Sequence, residues 1–271
     1  MEEGPLMAAA GAPAPVAIVT GAGSGIGAAT ARRMAADGWQ LSVAGRRAEP
    51  LRDLAAEFDA LTVVGDAATE EGAQALVDRT VERYGRIDAL IANAGVMTAG
   101  TVEQLTLREW EEALRINLTG PFLQARAALG SLRQTRGAIV AVSSVGGLRA
   151  GPGAVAYACS KAALNMLVSA LAVDHTPEGV RVNAVAPGWV RTEMGDEEMA
   201  EFGRARGLDL DQSYAHVARH VPARRAAAPS EIAEAIAWLA SPAASYITGT
   251  VVSVDGGTAV VDSGTTAMLA S

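Results

Sequence analysis

The chain has 271 residues, half of them apolar, with 4% aromatic side chains and 29 glycines. That supplies a sizeable core, while a formal charge of −8 argues against nonspecific nucleic-acid binding, which needs a cationic footprint. A single cysteine, Cys159, excludes an internal disulfide and fits a reducing compartment.

Residues 1–15, MEEGPLMAAAGAPAP, carry two acids and no Lys or Arg. A secretory signal needs a positive start and a longer apolar run, so they read as a short disordered extension. No stretch reaches the ~18 uncharged apolar residues of a membrane span, and a soluble, cytoplasmic protein is expected. Short β-branched runs then alternate with helical patterns. Strands are expected over 16–20, 41–45, 61–66, 87–93, 137–144, 180–187 and 249–257. Helices fall over 25–38, 49–58, 69–84, a long region 106–132, 157–173 and a capped segment 230–241. This rhythm implies crossover connections and one doubly wound Rossmann-type α/β domain over 16–257, with a seven-stranded parallel sheet covered on both faces. Ligands of such sheets bind beyond the carboxyl ends of the strands.

The first strand runs into TGAGSGIG, 20–27. Glycines here let a ligand touch the backbone, and free N–H groups at the following helix start favour a phosphate. The turn therefore reads as a dinucleotide site. At the end of the second strand an acid would select NAD(H). Gly45 stands there, followed by Arg46 and Arg47, and a guanidinium suits a 2′-phosphate. NADP(H) is favoured, with NAD(H) the other option.

In YACSK, Tyr157 and Lys161 lie four apart, on one helix face. Lowering a tyrosine from about 10 to about 7 takes roughly 4 kcal/mol. One ammonium ~4 Å away at an effective dielectric of ~20 supplies about that much. The pair can therefore work as a general acid or base.

With the glycine turn and this pair in place, the chain resembles the short-chain dehydrogenase/reductase family from about Val16 to Gly257. The family pattern TGxxxGxG falls on Gly21, Gly25 and Gly27, and the Asp after strand three on Asp66. The NNAG motif appears as ANAG, with Ala92 departing and Asn93, Ala94 and Gly95 in place. PG appears as Pro187 and Gly188, followed by Thr192. The resemblance implies catalytic roles for Asn117, Ser144, Tyr157 and Lys161. It implies cofactor contacts from Gly21, Ser24, Gly25, Ile26, Gly27, Asp66, Ala67, Asn93, Ala94, Gly95, Tyr157, Lys161, Pro187, Gly188, Val190 and Thr192. Ser144 would hydrogen-bond the substrate carbonyl, Tyr157 would protonate it, Lys161 would hold the nicotinamide ribose and lower the tyrosine pKa, and Asn117 would position a water.

Residues 189–225 would form a substrate lid, with Trp189, Met194, Met199, Phe202 and Tyr214 as apolar lining. Its acidic stretch 195–202 reads as a solvated face. Helices from Thr106 and Tyr157 would build a homotetramer or dimer, and the tail 258–271 would dock on a neighbouring subunit. His216 and His220 have a metal-clamping spacing, but Val217 breaks HExxH and no metal site is expected. Cys159 reads as packing filler on an apolar helix face. The leading reading is an NADP(H)-dependent ketone/secondary-alcohol oxidoreductase on a small-molecule substrate. The alternatives are a 3-oxoacyl-[acyl-carrier-protein] reductase, using Arg126, Arg149 and Arg191 to meet an acidic carrier, or a catalytically silent dinucleotide sensor.

Overall fold

Seven strands that are mostly continuous apolar runs can only be buried if helices cover both sides of the sheet. The computed structural model describes residues 13–262 and has this arrangement. Strands β1 (Val16–Thr20), β2 (Gln40–Gly45), β3 (Leu61–Val64), β4 (Ala89–Ala92), β5 (Ala138–Val142), β6 (Arg181–Pro187) and β7 (Val251–Val254) form one sheet. Their order is β3-β2-β1-β4-β5-β6-β7, and every pairing is parallel. The chain order reverses beside β1 and β4. That is the switch point at which such sheets take ligands.

Helices α1 (Gly25–Ala36), α2 (Ala48–Ala56), α3 (Glu70–Tyr84), α4 (Leu107–Leu114), α5 (Gly120–Thr135), α6 (Val155–His175), α7 (Glu193–Arg204), α8 (Leu210–Ala218) and α9 (Pro229–Ala240) connect the strands. Successive residues of β1 face opposite sides. Ala17 and Val19 join the core that holds Met34, Leu51, Ile232 and Ile236, under α1, α2 and α9. Ile18 joins the other, with Leu76, Leu132, Leu164 and Val168, under α3, α5 and α6. Each such aliphatic side chain contributes roughly 1.5–3 kcal/mol on burial.

The long helical region expected over 106–132 is two helices. They are joined by a π-helical segment, Arg115–Thr119. Asn117 lies inside it, and Pro121, four residues on, has no N–H to give the Asn117 carbonyl. The capped helix expected at Ser230 starts one residue earlier, at Pro229, and the Glu231 carboxylate accepts from Ala228 N–H at 2.8 Å. At the far end of α9 the Arg181 guanidinium gathers the carbonyls of Leu239, Ala240, Ser241 and Ala244 at 2.8–3.2 Å. These include the last acceptors of the helix, which lack intrahelical donors.

Helix α6 is apolar on nearly every side. By length and composition, residues 155–178 could cross a membrane. Ala156, Leu164, Val168 and Ala172 pack inward, while Met166 and Val173 are exposed. Cys159 is on the outer side and exposed. It is not core filler, because apolarity alone did not mark which face turns in. The tail beyond Asp262 and most of the N-terminal extension lie outside the described residues, with the readings made for them.

Candidate active site

The turn after β1 is built for close backbone approach. Gly21 has φ +64, and a Cβ there would lie 2.9 Å from Ala94 Cα. Gly25, at φ +53, opens α1, and its Cβ would meet the Thr192 methyl at 3.0 Å. A Cβ at Gly27 would strike the Gly21 carbonyl. Ser24 makes no side-chain cap on α1, and the first turn holds no acid. The helix start therefore keeps N–H groups and a positive dipole for an anion. Thr20 and Asn93 weld this turn to the end of β4. The Asn93 amide donates to the Thr20 and Gly21 carbonyls at 2.8 and 3.2 Å, and Thr20 Oγ1 accepts from Asn93 and Ala94 N–H.

Asp66 follows β3. It accepts from Ala68 N–H at 3.0 Å and from Arg115 at 2.9 Å. Burial pushes its pKa up, but these donors win, and the carboxyl sits below its ordinary value. The Ala67 carbonyl accepts from Gln124 at 3.1 Å. Arg46 and Arg47, both exposed, diverge. Arg46 lies in the field of Asp66, while Arg47 reaches Ser24 Oγ at 3.0 Å and pairs with Glu193.

The four expected catalytic positions converge beyond β4 and β5. Tyr157 and Ser144 meet around Gly146, where a Cβ would lie 3.3 Å from the tyrosine ring and 3.4 Å from Ser144 Oγ. Burial raises the phenol pKa; the Ser144 side chain opposes the rise, and the Glu198 carboxylate on α7 adds to it. Lys161 is buried, and its Nζ donates to the Val142 carbonyl at 2.8 Å. Burial lowers its pKa from 10.5 to about 8. Its Nζ is 5.8 Å from the Tyr157 ring centre. One ammonium N–H is thus on a strand carbonyl, which leaves two for the site. Gly95 makes room for the lysine, since a Cβ there would lie 3.3 Å from Nζ and 3.2 Å from Asn117 Oδ1.

Asn117 is fully buried. Its Oδ1 accepts from Val96 N–H at 2.9 Å, and its Nδ2 donates to the Val96 carbonyl at 2.9 Å and to Ser160 Oγ at 3.0 Å. Ser160 Oγ in turn donates to the Tyr157 carbonyl at 2.7 Å. Both amide hydrogens are used, so a water held by Asn117 would sit on its main-chain carbonyl. Asn117→Ala should lower unfolding free energy by about 2–4 kcal/mol, because it strands a buried N–H and leaves a hole. A urea titration beside wild type checks this.

On the far side, Gly188 follows β6 with its N–H on Val254 at 3.2 Å. Val190 is buried and bridges to Ala227, and Thr192 caps α7 through Gly195 N–H at 3.1 Å. Two of the expected lid linings are buried. Met199 is buried. Tyr214 is buried too, with its hydroxyl on Asp196 at 2.8 Å and the Arg191 guanidinium over its ring at 4.4 Å. The Tyr214–Asp196 bond ties α8 to α7. The acidic stretch is only partly solvated: Glu198 is half-buried, and burial raises its pKa. His216 packs on Phe202, and His220 accepts from Arg219 at 2.9 Å. Among the described residues no group of three or more His, Cys, Asp or Glu could hold a metal ion. Arg115, Ser160, Glu193 and Glu198 were not singled out from the sequence. Only the Pro after INLTG signalled the irregular turn that holds Arg115 and Asn117.

A phosphate cradle beside a neighbouring Tyr–Ser pair and a buried lysine fits a nucleotide-dependent oxidoreductase acting on CH–OH groups. A family profile described as enoyl-(acyl carrier protein) reductase matches residues 21–259. Protein MoaE of Klebsiella aerogenes is 43% identical over 249 residues, covering 91% of this chain and 96% of that protein. A crystal structure of levodione reductase superposes with a TM-score of 0.87 at 35% identity, covering 92% of this chain and 98% of that one. An actinorhodin polyketide ketoreductase variant solved with NADPH gives 0.87 at 33%, with coverage of 92% and 98%. The chain belongs to the short-chain dehydrogenase/reductase family, whose cofactors are nicotinamide dinucleotides.

Proposed function

We propose that this chain is an NADP(H)-dependent oxidoreductase that interconverts a ketone and a secondary alcohol, with Tyr157 as the proton donor in reduction and acceptor in oxidation. The gathering of Tyr157 and Ser144 around Gly146, with Lys161 Nζ 5.8 Å from the tyrosine ring centre, carries the reading. A carbonyl oxygen seated between these hydroxyls would be polarised by Ser144 as charge develops and protonated by Tyr157. The nicotinamide, when bound, supplies or accepts the hydride. Gly21, Ser24, Gly25, Ile26 and Gly27 would hold the diphosphate, and Asp66 and Ala67 the adenine. Asn93, Ala94, Gly95, Pro187, Gly188, Val190 and Thr192 would frame the nicotinamide half. Lys161 would hold the ribose and pass the proton onward, and the Asn117 carbonyl, lacking a donor from Pro121, would hold the receiving water. Turnover of NADPH over a panel of ketones and diketones tests the reading. NADPH binding without turnover of any member favours the silent sensor.

The 2′-phosphate assignment rests on Arg46 and Arg47. Arg47→Gln should raise the NADPH Kd about 10-fold or more, since a charge-assisted hydrogen bond contributes roughly 1.5–3 kcal/mol, and leave NADH within twofold. Fluorescence titration of both cofactors checks this; an equal loss for both refutes the assignment.

The carrier-protein reading has less support. Arg126 is already paired with Glu70 and Arg191 with Asp211, which leaves Arg149 of the three. Exposed Phe122, Met166 and Val173 on α5 and α6 support a homo-oligomer built on these helices. The exposed thiol of Cys159 supports a reducing, cytoplasmic setting.

A further inference from the structure

Arg47 does not wait free for a phosphate. Its Nη1 and Nη2 donate to Glu193 Oε1 and Oε2 at 2.8 and 2.7 Å, and Nη2 also reaches Ser24 Oγ at 3.0 Å. The pairing is bidentate, the geometry in which a guanidinium is most specific. Glu193 is the first residue of α7 and follows Thr192, whose methyl faces Gly25. The carboxylate therefore stands at the rim of the glycine cradle, beside the end of β2. An incoming 2′-phosphate needs the same two N–H groups, and it cannot share them with a carboxylate without like-charge repulsion.

We propose that Glu193 sets the cofactor discrimination of this site by competing with the adenosine 2′-phosphate for Arg47. The inference rests on the NADP(H) reading above and adds a residue to it. Phosphorylated cofactor must displace Glu193, whereas NAD(H), with no 2′-phosphate, leaves the ion pair in place. The discrimination for NADP(H) is thus weaker than Arg46 and Arg47 alone would give. Arg47 holds Glu193 below the ordinary carboxylate range, with Ser24 contributing, so the competitor stays ionised at neutral pH. Both side chains are about half exposed, at 54% and 50%, so neither is part of the core.

The test is a titration of NADPH, NADH and 2′,5′-ADP against wild type, Glu193→Gln, Arg47→Gln and the double variant. Glu193→Gln should tighten NADPH and 2′,5′-ADP about fivefold, the scale of one exposed ion pair, with NADH within twofold. In the Arg47→Gln background the same change should do nothing. An unchanged NADPH Kd in Glu193→Gln, equal tightening of NADPH and NADH, or a gain that survives without Arg47 overturns the proposal while leaving the NADP(H) reading intact. If wild type prefers NADH and Arg47→Gln leaves NADPH unchanged, both fall together.

Discussion

Tyr157→Phe is expected to lower kcat by about a thousandfold while leaving NADPH bound with nearly wild-type affinity. The ring packs beside Gly146, where a Cβ would come within 3.3 Å of it, and phenylalanine keeps that contact. What is lost is the phenol hydroxyl on the Ser144 side of the site. The expected stability change is small, since one hydrogen bond contributes about 0.5–1.5 kcal/mol net. A positioned general acid contributes roughly 10²–10⁴ in rate. Measuring kcat and NADPH Kd on one preparation separates the effects. A rate within tenfold of wild type would show that the proton comes from elsewhere.

Lys161→Met should abolish activity and make the protein more stable. The lysine sits buried with its pKa lowered from 10.5 to about 8. The unfolded chain therefore binds more protons between these values, and wild-type stability rises with pH across that window. Below about pH 8 the penalty is complete, about 3 kcal/mol at ~1.4 per pKa unit. Methionine removes it and forfeits the bond to the Val142 carbonyl, worth about 1 kcal/mol. The net gain of about 2 kcal/mol should raise Tm by several degrees at pH 7, at roughly 2–4 °C per kcal/mol. By pH 10 the advantage should shrink. A variant that melts lower than wild type at pH 7 would mean that the lysine holds the fold together, not that the fold bears it for chemistry.

The sheet was legible because its strands are mostly apolar, with few polar residues such as Ser42 and Asn183 inside them, and β1 is buried at every residue. The glycine turn was legible because Gly21 and Gly25 take positive φ at a strand-to-helix junction, where few other residues would serve. The family motif placed Ser144, Tyr157, Lys161 and Asn117, but spacing could not say what each touches. The π segment was hidden because one inserted residue barely disturbs a helical pattern. The inner face of α6 was hidden because both faces are apolar. The burial of Met199 and Tyr214 followed from their apolar character, but the Tyr214–Asp196 bond did not. The capping box of α8, Asp209 with Gln212, was readable in the lid, yet its docking on α7 was not. The Arg47–Glu193 pair spans 146 residues, a distance over which local rules are silent.

Arg181 bears on how this chain can be re-engineered. One cation gathers four carbonyls from the end of α9 and the turn after it, so 239–244 is tied to the start of β6, next to the edge strand β7, and offers poor ground for a graft or new termini. Lysine, a point charge without a fork, could not replace it. Exposed Gly207, with nothing within 4 Å of where a side chain would begin, is the better opening for an inserted peptide.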